Sequence, residues 1–560
     1  VVSATSDQGM GTSGAAVLAL GVVGVASAAS HEEQGPNFLF VLADDLNWDY
    51  KQDRQAIMPN LKRELAEGGI YFHNHVAVVP VCGPSRSSLL AGRYPHNVGY
   101  VANGATASVL AWSKLQNDTI GTWMTKAGYY TAFLGKYVNG MECDVPSGWR
   151  HWGGLTCTSL NGVKLGGTYN YYNASQWIAD FDEHAQDPLV EPVIVSHDGV
   201  HQSEFLGQQV VEQATKAAGL KMPFFIHATP LMVHGGTCYG PEAHYNDTDP
   251  FNEHQIYDPL PNSTGGPKGT QITGSTCPTV KHAWDFRGMK NPHIPSWGVF
   301  QNGTVPDSIQ AAGNMDTTGC CDSWLEARQD MVFRNRSATL VDLDDMLGFI
   351  FDGLQQLGVY ENTYVIFSSD NGYHLGEHKL LFGKTKPYET DIRLPMYIRG
   401  PGVSKGVVRS HPTNHLDITA TIADIAGAAS HAPHPLDGLS FKDVLSDSPP
   451  AVHQWRGFSF SEFYVQQNTW RAIRYINVST GEAEWLFHLW CSNQTEVYHK
   501  PTDPWELNNV GGDKPTFFGS QIIAKFYHVL AALGNCSADA CQTLEHPGYP
   551  SSPLVCGVFK

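Results

Sequence analysis

Phe38-Leu39-Phe40-Val41-Leu42 (FLFVL) runs straight into Ala43-Asp44-Asp45. Five apolar residues in a row, with no polar alternation, suit a strand buried on both faces, the kind found inside parallel sheets. Three further runs have the same form. Tyr130-Thr131-Ala132-Phe133-Leu134 ends in Gly135-Lys136, Phe224-Phe225-Ile226-His227-Ala228 runs on towards His234, and Tyr364-Val365-Ile366-Phe367-Ser368-Ser369 ends in Asp370-Asn371. Helical patterns lie between them. The clearest places Leu340, Leu343, Leu347, Ile350, Leu354 and Leu357 at three- and four-residue intervals and stops at Gly358. Strands alternating with helices predict an α/β fold around a mainly parallel sheet. Ligands of such sheets gather at the carboxyl ends of the strands. All four runs carry their charged or polar residues at that end, so they converge on one site.

Two segments depart from the alternation. Cys238 to Cys321 is rich in Gly, Pro and Asn and reads as a long disulfide-pinned excursion over the rim of the site. After Ser446-Asp447-Ser448-Pro449-Pro450 the pattern changes again. Phe458-Ser459-Phe460, Arg471 to Ile476 and Glu484 to Leu489 predict a small antiparallel sheet, followed by a helix near Ser520 to Leu533. The expected division is a catalytic unit over 36–445 and a smaller α+β unit over 455–560.

The composition of the 560 residues, 42% hydrophobic and 16% charged, is that of a globular protein. A net charge of −19 argues against nucleic acid or an anionic membrane as partner. An anionic ligand would need a local pocket of positive charge. Near the start, Gly14 to Ser30 is a short apolar run containing Ala26-Ser27-Ala28, a small-x-small cleavage pattern that predicts a signal peptide over residues 1–28. No later segment is long and apolar enough to span a bilayer. Nine N-x-S/T sequons, at Asn117, Asn173, Asn246, Asn262, Asn302, Asn335, Asn477, Asn493 and Asn535, point to a glycosylated, exported protein. So do the cysteines. Ten of the eleven lie between Cys143 and Cys556, an even number for disulfides in an oxidising compartment. Cys82 is left over, and an unpaired thiol in an exported protein asks for a chemical reason.

Cys82 stands in Val81-Cys82-Gly83-Pro84-Ser85-Arg86-Ser87-Ser88-Leu89-Leu90-Ala91-Gly92-Arg93. Pro84 fits a first helical turn, Gly83 can cap it and Gly92 can end the helix. Cys82 is then expected just ahead of a helix N-terminus, where free N–H groups favour an anion. Arg86 adds a positive fork suited to a tetrahedral oxyanion. The set is a cradle for sulfate or phosphate with a reactive side chain at its mouth. A thiolate phosphatase loop needs C-x-x-x-x-x-R, whereas the spacing here is C-x-x-x-R. The plainer alternative is an inert buried cysteine on a packed helix.

The stretch resembles the signature of the type I sulfatases, C-x-P-S-R-x-x-x-L-x-G-R, through Cys82, Pro84, Ser85, Arg86, Leu90, Gly92 and Arg93. The resemblance implies an alkaline-phosphatase-like sandwich. It also implies that a formylglycine-generating enzyme oxidises Cys82 to an aldehyde whose hydrate supplies the nucleophile. Asp44, Asp45, Asp370 and Asn371 match the family's calcium ligands, with residue 82 beside one Ca2+ ion. Independently of the family, three carboxylates and an amide carbonyl at strand ends suit a hard cation, Ca2+ or Mg2+.

The resemblance continues along the chain. Gly135-Lys136 looks like the stretch whose lysine contacts the sulfate. Typical members carry a histidine two residues later, where this chain has Val138. The form GKYVNG is closer to the arylsulfatase and N-acetylglucosamine-6-sulfatase branch, and it leaves the proton acceptor for sulfate release unassigned. Asn139 can fill part of that space but cannot act as a base. Pro223-Phe224-Phe225, Thr229-Pro230 and His234 look like the segment that brings a histidine to the leaving oxygen, with His227 as its competitor. Gly383-Lys384-Thr385-Lys386-Pro387-Tyr388-Glu389 matches K-x-x-x-Y-E, with Lys384 as the second sulfate contact, Lys386 as a solvated neighbour and His374 at the substrate rim. Glu496-Val497-Tyr498 and Asp503-Pro504-Trp505-Glu506 resemble the family's smaller domain.

The implied activity is hydrolysis of aryl or sugar sulfate monoesters. The implied compartment is extracellular, periplasmic or lysosome-like. A phosphonate or phosphate diester hydrolase of the same superfamily is the second reading. A secreted glycoprotein with a dead site is the third.

Overall fold

The computed structural model describes residues 35–48, 57–157, 159–160, 163–185, 188–235, 290–302, 304–307, 309, 323–380, 382–465, 468–477 and 479–544. The expected leader over 1–28 and most of the Cys238 to Cys321 excursion lie outside these residues. Among the described residues a ten-stranded sheet forms the centre. In chain order its strands are β1 (Asn37–Ala43), β2 (Ile70–Phe72), β3 (Tyr130–Gly135), β4 (His151–Leu155), β5 (Ser175–Asp180), β6 (Val193–Ser196), β7 (Phe224–Thr229), β8 (Thr363–Ser369), β9 (Tyr397–Arg399) and β10 (Val407–Arg409). Their order across the sheet is β10-β2-β9-β8-β1-β7-β3-β4-β5-β6. From β8 through β1, β7 and β3 to β4 the strands are parallel. β9 and β5 run antiparallel to this centre on either side.

The sequence of β1 shows why it lies in the middle. Phe38, Phe40 and Leu42 enter the apolar core on one face, and Leu39, Val41 and Ala43 enter the core on the other. Each large side chain buried this way contributes about 1.5–3 kcal/mol, and from Phe38 to Ala43 every position is apolar. Among the helices that line the two cores are α1 (Cys82–Ala91), α2 (Gln202–Gly219), α3 (Ser323–Gln356) and α4 (His415–Ile425). Leu89 and Leu90 of α1 join Ile418 and Ile422 of α4 on the Phe38 face. Phe205 and Val210 of α2 join Leu340, Leu343, Leu347, Ile350 and Leu354 of α3 on the other, as the leucine spacing predicts.

Register sets the site. Ala43 pairs with Ser369, Val41 with Ala228, and Thr229 with Gly135. The strand ends are therefore level to within about a residue, and Asp44, Asp370, Pro230 and Lys136 all emerge at one edge.

A second, antiparallel sheet joins β11 (Phe458–Phe463), β12 (Trp470–Ile476), β13 (Ala483–Trp490) and β14 (Thr495–His499), with α5 (Phe517–Leu533) packed on it. Its core is shared with the segment entering α1. Val78, Val79 and Val81 pack in one cluster with Phe460, Ile473 and Tyr388. Cys143–Cys157 and Cys536–Cys541 are disulfides, and Cys491 is also disulfide-bonded. Cys82 is the free cysteine among the described residues. Among those residues no helix is long and apolar enough to cross a membrane.

Candidate active site

Helix α1 starts two residues earlier than its sequence suggests. Extended Val81 is the N-cap, Cys82 opens the helix, and Gly83 lies inside it. The cap comes from elsewhere, since Asn103 Oδ1 accepts the Gly83 N–H at 2.9 Å. A Cβ on Gly83 would meet Asn103 and Tyr100 at 2.7 Å, which explains the glycine. Gly92 ends the helix in the left-handed region at φ 64°, where a residue without Cβ is unstrained.

The first turn of α1 and the tips of β1, β3 and β8 meet. Cys82 Sγ lies 3.6 Å from Asp44 Oδ1 and accepts from Lys384 Nζ at 3.0 Å. Lys136 Nζ is bonded to Asp44, and Lys384 Nζ to Asp45. Arg86 donates from Nε to Asp370 Oδ2 at 2.9 Å and from Nη1 to the Lys136 carbonyl at 2.8 Å, with Nη2 3.5 Å from Asp44 Oδ2. Asp370 Oδ1 accepts the N–H groups of Asp45 (3.1 Å) and Asn371 (2.8 Å), and Asn371 Nδ2 donates to Asp45 Oδ1 at 2.7 Å. His234 Nε2 stands 3.6 Å from Asp45 Oδ2. Ligand atoms of Asp44, Asp45, Cys82 and His234 all lie within 4.8 Å of one another. Nine residues singled out in the sequence thus come together.

Their electrostatics arise from burial and from one another. Burial opposes ionisation of Asp44 and Asp45, but the nearby lysines outweigh it and hold both below the usual carboxylate range. Asp370 is pushed up to about 6 by burial and by the charge of Asp44. Burial works against the charge of Lys136 and Lys384 too, yet Asp44 and Asp45 keep both firmly protonated. Burial pushes the Cys82 thiol up to about 12, so as a plain cysteine it would not ionise to a nucleophile at neutral pH. Burial takes His234 down to about 3 against the pull of Asp45.

Asp45 Oδ2 and Asn371 Oδ1 are buried without a hydrogen-bond partner. Orphaned acceptors of this kind carry a large desolvation cost unless something positive reaches them. With Asp44 and Asp370 they form an all-oxygen donor set that fits a hard divalent cation.

His374 is buried, with Nδ1 2.9 Å from Asp391 Oδ1, and its N–H donates to the Gly383 carbonyl at 2.7 Å. Lys386 is not solvated. It is buried, its Nζ donates to Asn468 Oδ1 at 2.8 Å, and burial lowers its pKa to about 8. The C-terminal sheet covers it, which the local sequence does not foretell. His227 packs against Phe40 with ring centroids 4.6 Å apart, inside the apolar layer. Val138 is likewise in the apolar core. Asn139 donates to the Tyr169 hydroxyl at 2.8 Å.

Sequence reasoning missed Tyr169, whose ring centroid is 5.0 Å from both Lys136 Nζ and the His234 ring centroid. It also missed the bracing beneath Asp370. Ser85 Oγ donates to the Asp370 carbonyl at 2.6 Å and lies 2.9 Å from His415 Nδ1. Arg336 donates to the carbonyls of Asp45 (2.6 Å) and Val233 (3.3 Å), tying the turn after β1 to the His234 segment. Only Ser85 had a sequence signal, its place in the signature.

The sulfatase family model matches residues 36–428, and the model of the N-sulphoglucosamine sulphohydrolase C-terminal region matches 376–533. The chain belongs to the sulfatase family. As a sulfatase it is a hydrolase of sulfuric esters. It is similar to the arylsulfatase of Volvox carteri, 26% identical over 95% of this chain and 80% of the algal protein. Similarity to the human N-acetylglucosamine-6-sulfatase is 26% over 96% of this chain and 91% of the human protein. Among solved structures, one described as a complex with its substrate D-glucosamine-2-N,6-O-disulfate aligns with TM-score 0.59 and 21% identity, over 88% of this chain and 95% of that one. The phosphonate monoester hydrolase of Silicibacter pomeroyi aligns with TM-score 0.58 and 18% identity, over 88% and 93%. The sulfatase fold is thus the alkaline-phosphatase-like α/β sandwich with its antiparallel C-terminal sheet.

Proposed function

We propose that this sulfatase hydrolyses aryl or sugar sulfate monoesters, using a formylglycine made from Cys82 by a formylglycine-generating enzyme, and one Ca2+ ion. The observation that carries the reading is the buried, disulfide-free Cys82 at the strand tips, with Sγ 3.6 Å from Asp44 Oδ1 and accepting from Lys384, beside two orphaned acceptors. Asp44, Asp45, Asp370 and Asn371 would hold the ion. When present, the ion polarises sulfuryl oxygens and the aldehyde hydrate supplies the attacking oxygen.

This chain's own residues do the rest. Lys136 and Lys384 stay charged at neutral pH and neutralise oxygens of the bound ester. These cations allow a protein of net charge −19 to take an anion. Arg86 fixes Asp370 and the Lys136 backbone in one geometry. His234 spends its Nδ1–H on the Gly235 carbonyl at 2.6 Å, so Nε2 faces the site. The negative charge of a bound ester raises the proton affinity of Nε2, and the proton it takes up is the one handed to the leaving oxygen.

The sugar arm draws support from the N-acetylglucosamine-6-sulfatase relatives and the aryl arm from the algal arylsulfatase. The same reading treats 1–28 as a leader, 36–445 as the catalytic unit and 455–560 as the smaller one. It makes the protein an exported glycoprotein of an extracellular, periplasmic or lysosome-like space, as the sequons and disulfides favour. The fold likeness to a phosphonate monoester hydrolase supplies the second reading. Rates on an aryl sulfate, N-acetylglucosamine 6-sulfate and an aryl phosphodiester separate the two. Faster turnover of a sulfate is the expected result, and a faster diester would overturn it.

A further inference from the structure

The stretch Gly383 to Glu389 contains more than its lysine. Lys384 reaches Asp45 and Cys82, while the residues after it turn away and are gripped by the C-terminal sheet. Trp470 Nε1 donates to the Thr385 carbonyl at 2.9 Å. Asn468 Nδ2 donates to Thr385 Oγ1 at 3.2 Å, and Asn468 Oδ1 accepts from Lys386 Nζ at 2.8 Å. The Tyr388 hydroxyl donates to Glu496 Oε1 at 3.0 Å, and Glu389 accepts from Arg474 Nε at 2.5 Å with Lys500 Nζ at 3.3 Å. The tyrosine and glutamate of K-x-x-x-Y-E are thus anchors, sunk into β12 and β14 and the turn after β14.

We propose that the C-terminal sheet is the mount of Lys384, with Asn468 and Trp470 as its positioning residues. The inference rests on Lys384 being a sulfate contact, as the proposed function has it. Three observations support it beyond simple packing. Thr385 has φ 83°, a conformation that a β-branched residue avoids unless its surroundings impose it. Trp470 and Asn468 hold that residue at its carbonyl and its hydroxyl. Both polar groups of the Asn468 side chain are spent on Thr385 and Lys386, the two residues directly after Lys384. A buried lysine would ordinarily seek a carboxylate, but Lys386 takes the neutral Asn468, so the contact fixes a direction and little charge is neutralised. A lysine stem has four rotatable bonds, so where its ammonium lies depends on where its backbone is held. A misplacement of about 1 Å at a reacting centre costs on the order of a hundredfold.

The test is a double-mutant cycle on the metal-loaded, full-length enzyme. Asn468→Ala, Lys384→Ala and the double variant are compared by kcat and KM on an aryl sulfate, by the Kd of inorganic sulfate, and by melting temperature. Asn468→Ala is expected to lower kcat/KM about tenfold and to weaken sulfate binding, with the melting temperature little changed, and to add nothing once Lys384 is gone. Asn468→Asp, which keeps the acceptor for Lys386, recovers most of the loss. Trp470→Phe, which removes one donor and keeps the ring, repeats the pattern should Asn468→Ala fold poorly. Losses that multiply in the double variant, or an Asn468→Ala enzyme as active as the parent, overturn the inference alone. A Lys384→Ala enzyme with unchanged sulfate binding and turnover overturns the reading of the site, and this inference with it.

Discussion

Two of the places where the molecule buries charge are built differently. At the strand tips Asp44, Asp45 and Asp370 face Arg86, Lys136 and Lys384, yet Asp45 Oδ2 and Asn371 Oδ1 have no hydrogen-bond partner and Asp370 is pushed up to about 6. At the seam under the C-terminal sheet, Glu389 accepts from Arg474 and meets Arg393 and Lys500 at 3.3 Å. Burial opposes its ionisation there too, but Arg474 and Lys500 outweigh that and hold its pKa well below the ordinary value. A buried carboxylate costs energy unless compensated. Glu389 is compensated by protein alone. At the strand tips Lys136 and Lys384 hold Asp44 and Asp45 low, and Asp370 is the carboxylate left short of positive charge, beside two orphaned acceptors that a cation would reach. That one under-compensated carboxylate sets the cluster apart from Glu389.

The contrast can be broken at either place. The largest effect is expected at Cys82. Cys82→Ala should lower turnover by about a thousandfold or more while the melting temperature stays nearly constant, because its Sγ joins no disulfide. A thermal melt as low as that of a core deletion would contradict this. Chelation comes next. Removing the ion should cost at least about a hundredfold in rate, with Ca2+ restoring it, and full activity in protein shown by metal analysis to be ion-free would remove the cation from the account.

At the seam the readout changes from rate to stability. Glu389→Gln leaves Arg474 and Lys500 short of a partner and should cost about 3–5 kcal/mol in denaturant unfolding. Because the folded pKa of Glu389 is depressed, its contribution is complete above the ordinary carboxylate range and is lost only as pH falls through the depressed value. The gap between parent and variant should therefore persist at mildly acidic pH.

Asp370 predicts the opposite sign. Its folded pKa lies above that of an exposed carboxyl, so the ion-free protein gains stability as pH falls towards and below 6 and carries a cost above it. The melting temperature of ion-free protein should then rise as pH is lowered from neutral towards 6. A melting temperature that stays flat or falls over that range would show that the strand-tip cluster is compensated like the seam.

Much of this was legible in the sequence, for a physical reason. β1, β3, β7 and β8 are buried on both faces, so their apolar runs stand out, and a parallel register brings the residues after each run to one edge. Asp44, Lys136 and Asp370 are therefore found by reading the residue just past the end of each strand. The features that stayed hidden depend on contacts between distant segments. Asn103 caps α1 from a loop, and Tyr169 reaches Lys136 from a stretch without a motif. Lys386 looks solvated in Lys384-Thr385-Lys386-Pro387, yet Asn468 and the sheet behind it cover it. The hydrophilic spelling of a loop does not reveal which segment will be laid over it.

The most direct measurement is peptide mass spectrometry of residue 82 on samples of graded specific activity. The account predicts that activity rises in proportion to the fraction carrying an aldehyde in place of the thiol. A fully active sample in which residue 82 is uniformly an unmodified cysteine would contradict it.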